Sequence, residues 1–177
     1  MIRALPFAGA AVAGAVVLAV VLALAGGGEG GGKAAGKAAR TWSPPDGSFA
    51  IALPTGWKAV ADGAAATVLQ RADKRGVAVI RRRAPITAPL ERLAGRLERK
   101  LRGRLSDFAP AGSRVATVGG EPGLVYTFTR PAANQVQSVV LAPAGDRSYT
   151  LDLVADGDAP DVARELAGIV RSFAPKR

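Results

Sequence analysis

Four carboxylates fall within ten positions late in the chain, Asp152, Asp156, Asp158 and Asp161. Such a run can hold a hard cation or divide general acid and base work between its members. The spacing lacks the closing Glu of a twelve-residue calcium loop. Asp158 with Asp161 three residues on reads instead as an acidic capping box, and Asp156-Gly157 as a turn. Ser48, Ser106, Ser113, Ser138, Ser148 and Ser172 are candidate nucleophiles without a base, because the chain contains no His and none of them opens an S-x-x-K. Lacking His, the chain also lacks the commonest metal ligand, and lacking Cys it has no disulfides. No metal and no cofactor is implied. Carboxylates distant in sequence can still meet in a fold, so an enzyme of unrecognised type using carboxylates stands as an alternative.

The stronger chemical feature is positive charge and where it sits. Residues 71–104 hold 12 Lys and Arg against 3 acids, a net of 12 − 3 = +9. Residues 41–70 and 105–177 together hold 8 basic and 10 acidic residues, a net of 8 − 10 = −2. Arg81, Arg82 and Arg83 end a strand, and on a helical wheel Arg92, Arg96 and Arg99 lie opposite a leucine stripe, with Lys100 beside them. These seven residues form a candidate anionic-surface binding site. Anionic lipid, a wall polymer or an envelope protein would be attracted at about 1 kcal/mol per basic residue near the surface. A solvated, arginine-rich helix face is the plainer alternative. Nucleic acid is disfavoured as a partner, because no aromatics interleave with the cations to stack on bases, and it gains only if the domain faces the cytoplasm.

The elements that must present these residues alternate strand and turn signals, then add two helical patterns. Phe49, Ile51 and Leu53 alternate with small residues up to Pro54-Thr55-Gly56-Trp57, which predicts a half-buried strand ending in a turn. Residues 67–71 and 77–82 flank Asp73-Lys74-Arg75-Gly76, a hairpin signal with Gly late in the loop. Leu90, Leu93, Ala94, Leu97 and Leu101 have helical spacing, with Thr87 or Ala88 as the start, Pro89 in the first turn and Gly103 as the stop. Residues 115–118, 124–129, 136–141 and 148–154 predict four more strands, and loops as short as 143–147 require antiparallel pairing. A last helix opening at Asp158 carries Val162, Leu166, Ile169, Val170 and Phe173 on one stripe. The implied class is α+β, an antiparallel sheet of about six to seven strands packed by two main helices. Trp57 and Phe49 are expected in its core.

Ahead of this domain runs a 22-residue apolar stretch, residues 4–25. As a helix it would reach ~33 Å, enough for a bilayer core of about 30 Å. It reads as a single-pass anchor or, with Arg3 ahead and Ala23-Leu24-Ala25 as a small-x-small site, as a secretory signal cleaved near Ala25. Lys33, Lys37 and Arg40 outweigh Arg3 and would favour a cytoplasmic domain, but long domains translocate largely regardless of charge, so an extracytoplasmic domain is expected. Residues 26–42 read as a flexible linker and 43–174 as the folded domain. Inside the linker Gly27, Gly32 and Lys33 mimic a phosphate-binding loop, but Ala34 replaces the hydroxyl such a loop needs.

Three segments carry a resemblance: Phe49-Ala50-Ile51-Ala52-Leu53-Pro54-Thr55-Gly56-Trp57, Tyr149-Thr150-Leu151-Asp152-Leu153, and Ile169-Val170-Arg171-Ser172-Phe173. In order and separation they resemble the PsbP-like fold family, which includes the PsbP extrinsic subunit of photosystem II, a nuclear Ran-binding protein, and LpqN-type envelope lipoproteins of actinobacteria. The resemblance spans nearly all of residues 43–174. It implies a helix-covered antiparallel sheet used for binding or assembly and not for catalysis, and it assigns no active-site residues. The chain departs from the lipoproteins in lacking a Cys to lipidate, and from the photosynthetic member in lacking an organelle-type targeting region.

Overall fold

The structure, a computed structural model, describes residues 39–63 and 66–176. The apolar leader, the predicted linker up to residue 38 and the phosphate-loop mimic lie outside the described residues. Among the described residues ten strands and two α-helices follow one another as β1 (Arg40–Trp42), β2 (Phe49–Leu53), β3 (Trp57–Gly63), β4 (Ala66–Arg71), β5 (Gly76–Arg83), α1 (Leu90–Arg102), β6 (Ala109–Val118), β7 (Glu121–Arg130), β8 (Gln135–Ala144), β9 (Arg147–Asp156), α2 (Pro160–Ser172) and β10 (Ala174–Pro175). Among the described residues no helix is long and apolar enough to cross a membrane.

Seven strands form one sheet in the order β3-β4-β5-β9-β8-β7-β6, and β1, β2 and β10 form a second, three-stranded sheet. Every pairing is antiparallel, as the short loops require. One face of the large sheet carries the main core. Val125, Val140, Leu151 and Ile80 stand directly opposite one another on β7, β8, β9 and β5, all buried. The helix α2 and strand β2 close over this face, burying Val162, Leu166, Ile169 and Val170 from one and Phe49, Ile51 and Leu53 from the other. At roughly 1.5–3 kcal/mol for each large side chain removed from water, this layer dominates stability.

Among the described residues the other face is covered by α1 and the loop after it, where Leu97, Leu101 and Phe108 pack on Tyr126, Phe128 and Val139. No residue of α1 is fully buried. Its leucine stripe meets the sheet as the periodicity predicts, and the arginine face is left to solvent.

The three sequence segments that carried the resemblance converge physically. Phe49, Tyr149 and Phe173 form an aromatic triad with ring centroids 5.2 to 6.0 Å apart. The Tyr149 hydroxyl donates to the Ser48 carbonyl at 3.0 Å, and the Ser172 hydroxyl, bonded back to Gly168, accepts the Ala52 amide at 2.9 Å. The Pro-Thr-Gly-Trp turn has its own reason: Gly56 takes φ +86°, and Trp57 is then buried with its indole N–H donating to Glu165 on α2 at 2.8 Å.

Several local expectations change. Residues 57–63 form a full strand where the sequence suggested only a turn, because a β-bulge between Ala59 and Ala61 disguises the alternation. In the β4–β5 hairpin the left-handed residue is Lys74, at φ 65°; Gly76 already belongs to β5, where the Trp57 ring and Val162 leave no room for a side chain. Pro89 precedes α1 as its N-cap. Asp158 does not cap α2: Ala159 is the N-cap with no side-chain capping bond, Pro160 supplies the preset first turn, and it is Asp161 that accepts first-turn backbone amides. The strand β1 starts at Arg40, within the stretch whose composition suggested linker.

Candidate functional site

The acidic run and the basic hairpin are largely each other's partners. Arg75 bonds Asp158 at 2.7 Å and Asp156 at 3.3 Å. Arg71 reaches Asp161 at 2.7 Å, and Glu165 and Asp73 at 3.3 Å each. Arg81 hydrogen-bonds Asp152 across the β5–β9 pair. The four sequence-adjacent carboxylates therefore do not converge on one point. They are divided among three arginines, since Asp152 and Asp156 share a face of β9 but sit about 13 Å apart along it, and the turn into α2 carries Asp158 and Asp161 away from both.

The ion pairs also explain where the carboxylate-enzyme alternative stands. A cleft of about 530 Å³ beside the Pro-Thr-Gly-Trp turn is lined by two acids, Asp73 and Glu165. Both are bound to the same guanidinium, and Glu165 additionally accepts the Trp57 indole. Of the serines, Ser148 donates to the Ala84 carbonyl at 2.7 Å, Ser138 pairs with Thr127 at 3.0 Å, and Ser172 joins α2 to β2. These hydroxyls hold structure together.

Of the seven cations grouped by sequence, six have no acid partner among the described residues. Arg82, Arg83, Arg92, Arg96, Arg99 and Lys100 are all exposed, and none has a carboxylate within ion-pair distance among the described residues. Arg81, grouped with them by sequence, differs in being half-buried and held by Asp152. Arg82 and Arg83 leave the sheet at the end of β5, where Ser148 pins the following residue. Arg147, opposite in the β9 turn, completes an open cleft of about 500 Å³ with them. Sequence reasoning missed Arg147, which the β5–β9 register brings beside the Arg82-Arg83 pair and which bonds Asp146 at 2.8 Å. Asp146 is held below the usual carboxylate range by that hydrogen bond first, and slightly by the charge of Arg82. Asp46 is likewise lowered, mainly by the Ser48 amide and least by Arg82.

On α1 the outward cations ride on a helix seated by aromatic contacts. Arg102 bonds Glu98 at 2.9 Å and lies 5.4 Å over the Phe108 ring. That bond is the main cause holding Glu98 below its ordinary value. The Tyr126 hydroxyl lies buried beneath this pair, close enough to Glu98 to interact with it but outside good hydrogen-bond geometry. Burial first, then the charge of Glu98, pushes it up to about 12. The face above presents Arg92, Arg96, Arg99 and Lys100 together, which is a geometry for attracting an extended anionic surface more than for enclosing a small molecule.

Comparison with known proteins agrees at the level of fold. No protein-family model matches the chain. No curated protein matches it by sequence. Among solved structures, cyanobacterial PsbP (CyanoP) from Synechocystis sp. PCC 6803 superposes with a TM-score of 0.59 at 13% identity, covering 85% of this chain and 98% of that one. A protein of unknown function from Pseudomonas aeruginosa gives 0.51 at 14% identity, covering 79% of this chain and 99% of its own. A structure from Bacteroides thetaiotaomicron gives 0.53 at 14% identity, covering 78% of this chain and 49% of that one. The chain has the PsbP-like fold.

Proposed function

We propose that this chain is a non-catalytic binding or assembly domain of the cell envelope, tethered by its apolar leader or released after cleavage near Ala25, and that it engages anionic lipid, polymer or protein through its basic helix. The observation that carries the reading is the separation of its arginines into two populations. Arg71, Arg75 and Arg81 are consumed by carboxylates, whereas Arg82, Arg83, Arg92, Arg96, Arg99 and Lys100 remain exposed and without ion pairs among the described residues. The PsbP-like fold supports an accessory role, and the arginine-bound acids of the Trp57 cleft speak against acid–base work there.

Co-flotation tests the reading. The full chain, held in phosphatidylcholine nanodiscs by its leader, is mixed with separate vesicles rich in phosphatidylglycerol. Nanodiscs carrying the wild-type chain should float with the anionic vesicles and not with neutral ones, and added salt should weaken the association. Reversal of Arg92, Arg96 and Arg99 to Glu should abolish it. Equal flotation of wild type and reversal variant would defeat the proposal.

A further inference from the structure

We infer that Arg114 anchors a small organic monocarboxylate in a cavity at the β6 edge of the sheet, on the face that carries α2. This is independent of the basic surface and lies elsewhere on the molecule. Among the described residues strand β6 pairs with β7 alone, and Arg114 stands opposite Val125. Paired residues share a face, and Val125 belongs to the main core, so the guanidinium is directed to the apolar side of an edge strand.

Its surroundings do not explain it as a structural ion. No carboxylate pairs with Arg114 among the described residues, and its Nη2 is buried with no hydrogen-bond partner. Burial alone displaces its ionisation, lowering it from the ordinary arginine value, with no acid acting in the other direction. Arg114 is half-buried, but a guanidinium N–H shut away from water without an acceptor is costly to retain. It becomes favourable when an anion arrives.

Room for one exists. Arg114 lines a cavity of about 220 Å³ together with Ala111, Gly112, Ser113, Val125 and Thr127. The walls combine an apolar side with the buried Thr127 hydroxyl, whose bond to Ser138 can run in either direction and so leaves a proton available to a ligand oxygen. One guanidinium matches the single charge of a carboxylate, and its fork geometry suits two oxygens. The volume is below the usual 300–1,000 Å³ of drug-sized sites, which limits the ligand to a short chain. Ala111 is the extra residue of a bulge here, and Gly112 beside it, at φ +132°, takes up the distortion of the edge.

The test uses the full chain in non-ionic detergent, with butyrate as probe and chloride, sulfate and phosphate at matched ionic strength as controls. Butyrate should raise the unfolding temperature saturably, with a dissociation constant on the order of 1 mM, and should shift the amide resonances of Gly112, Arg114 and Thr127. Arg114→Met should weaken butyrate binding at least about tenfold while raising the unfolding temperature of the unliganded protein, because it removes the unpaired charge. Arg114→Lys should retain part of the binding. The inference fails if butyrate acts no better than chloride, or if sulfate and phosphate bind in preference. It fails equally if Arg114→Met leaves butyrate binding intact or only provokes self-association, which would make the residue a guard of the sheet edge.

Discussion

Replacing Gly76 with Ala probes the joint on which the Trp57 motif depends. A Cβ at that position would lie 2.5 Å from Val162 Cγ1 and 2.8 and 2.9 Å from Trp57 Cη2 and Cζ2. Carbon atoms prefer about 3.5–4.0 Å, so roughly 1 Å must be found by moving α2 or turning the indole. Val162 is fully buried, and the indole is tied to Glu165 at 2.8 Å, which is itself tied to Arg71 at 3.3 Å. Overpacking of this kind costs about 1–3 kcal/mol. If the indole swings away, the lost bond to a charged acceptor adds up to another 1.5–3 kcal/mol or so. A net loss of about 2–4 kcal/mol is expected, or roughly 10 °C in unfolding temperature for a domain of this size. Near-UV circular dichroism of the full chain in detergent reads it through the tryptophans. Combining Gly76→Ala with Val162→Ala, which removes the nearest obstructing atom, should restore more stability than the sum of the single changes predicts. A Gly76→Ala variant within about 0.5 kcal/mol of wild type would refute the packing argument.

Tyr126→Phe should be neutral or stabilising by up to about 1 kcal/mol, because the hydroxyl is buried and reaches Glu98 only outside good hydrogen-bond geometry; a loss of more than about 1 kcal/mol in denaturant unfolding would refute this. Stability should also follow pH in a defined window. Asp161 is lowered although burial opposes it, because the hydrogen bond and charge of Arg71 and nearby backbone amides outweigh that penalty, and Asp107 is lowered chiefly by its hydrogen bond from Arg130. Groups with depressed folded values stabilise at pH above their unfolded values and lose that contribution as pH falls. With no His in the chain, the denaturation midpoint should be flat from about pH 5.5 to 7 and fall below about pH 4.5. A midpoint that rises on acidification would contradict the assigned pairs.

Much of the fold was legible because its signals are local. The stripe of Val162, Leu166 and Ile169 and the alternation of Phe49, Ile51 and Leu53 each report one buried face, and the two-residue turn at Gly145-Asp146 admits only an antiparallel pair. What stayed hidden depends on partners far away in sequence. The bulge in β3 breaks the period that would have revealed it. Asp158 looks like a helix cap until Arg75 is seen to claim it, a charge-assisted bond being stronger than a cap to a neutral amide. The same holds for Arg81, whose neighbours Arg82 and Arg83 are free while it is not. Arg114 left a trace: it shares parity with Ala116 and Val118 on β6, a charge in a core-facing register, which reading a strand only from residue 115 conceals.

The central claim concerns which arginines are free, not how many there are. Two variants with the same change in net charge separate these ideas: Arg92 and Arg96 to Gln, and Arg75 and Arg81 to Gln, each checked for folding and measured by nanodisc co-flotation with phosphatidylglycerol vesicles. At about 1 kcal/mol per cation at the surface, the first pair should weaken binding by roughly 30-fold. The second should leave it nearly unchanged. Equal losses in both would show that overall charge alone drives the association and would contradict the account.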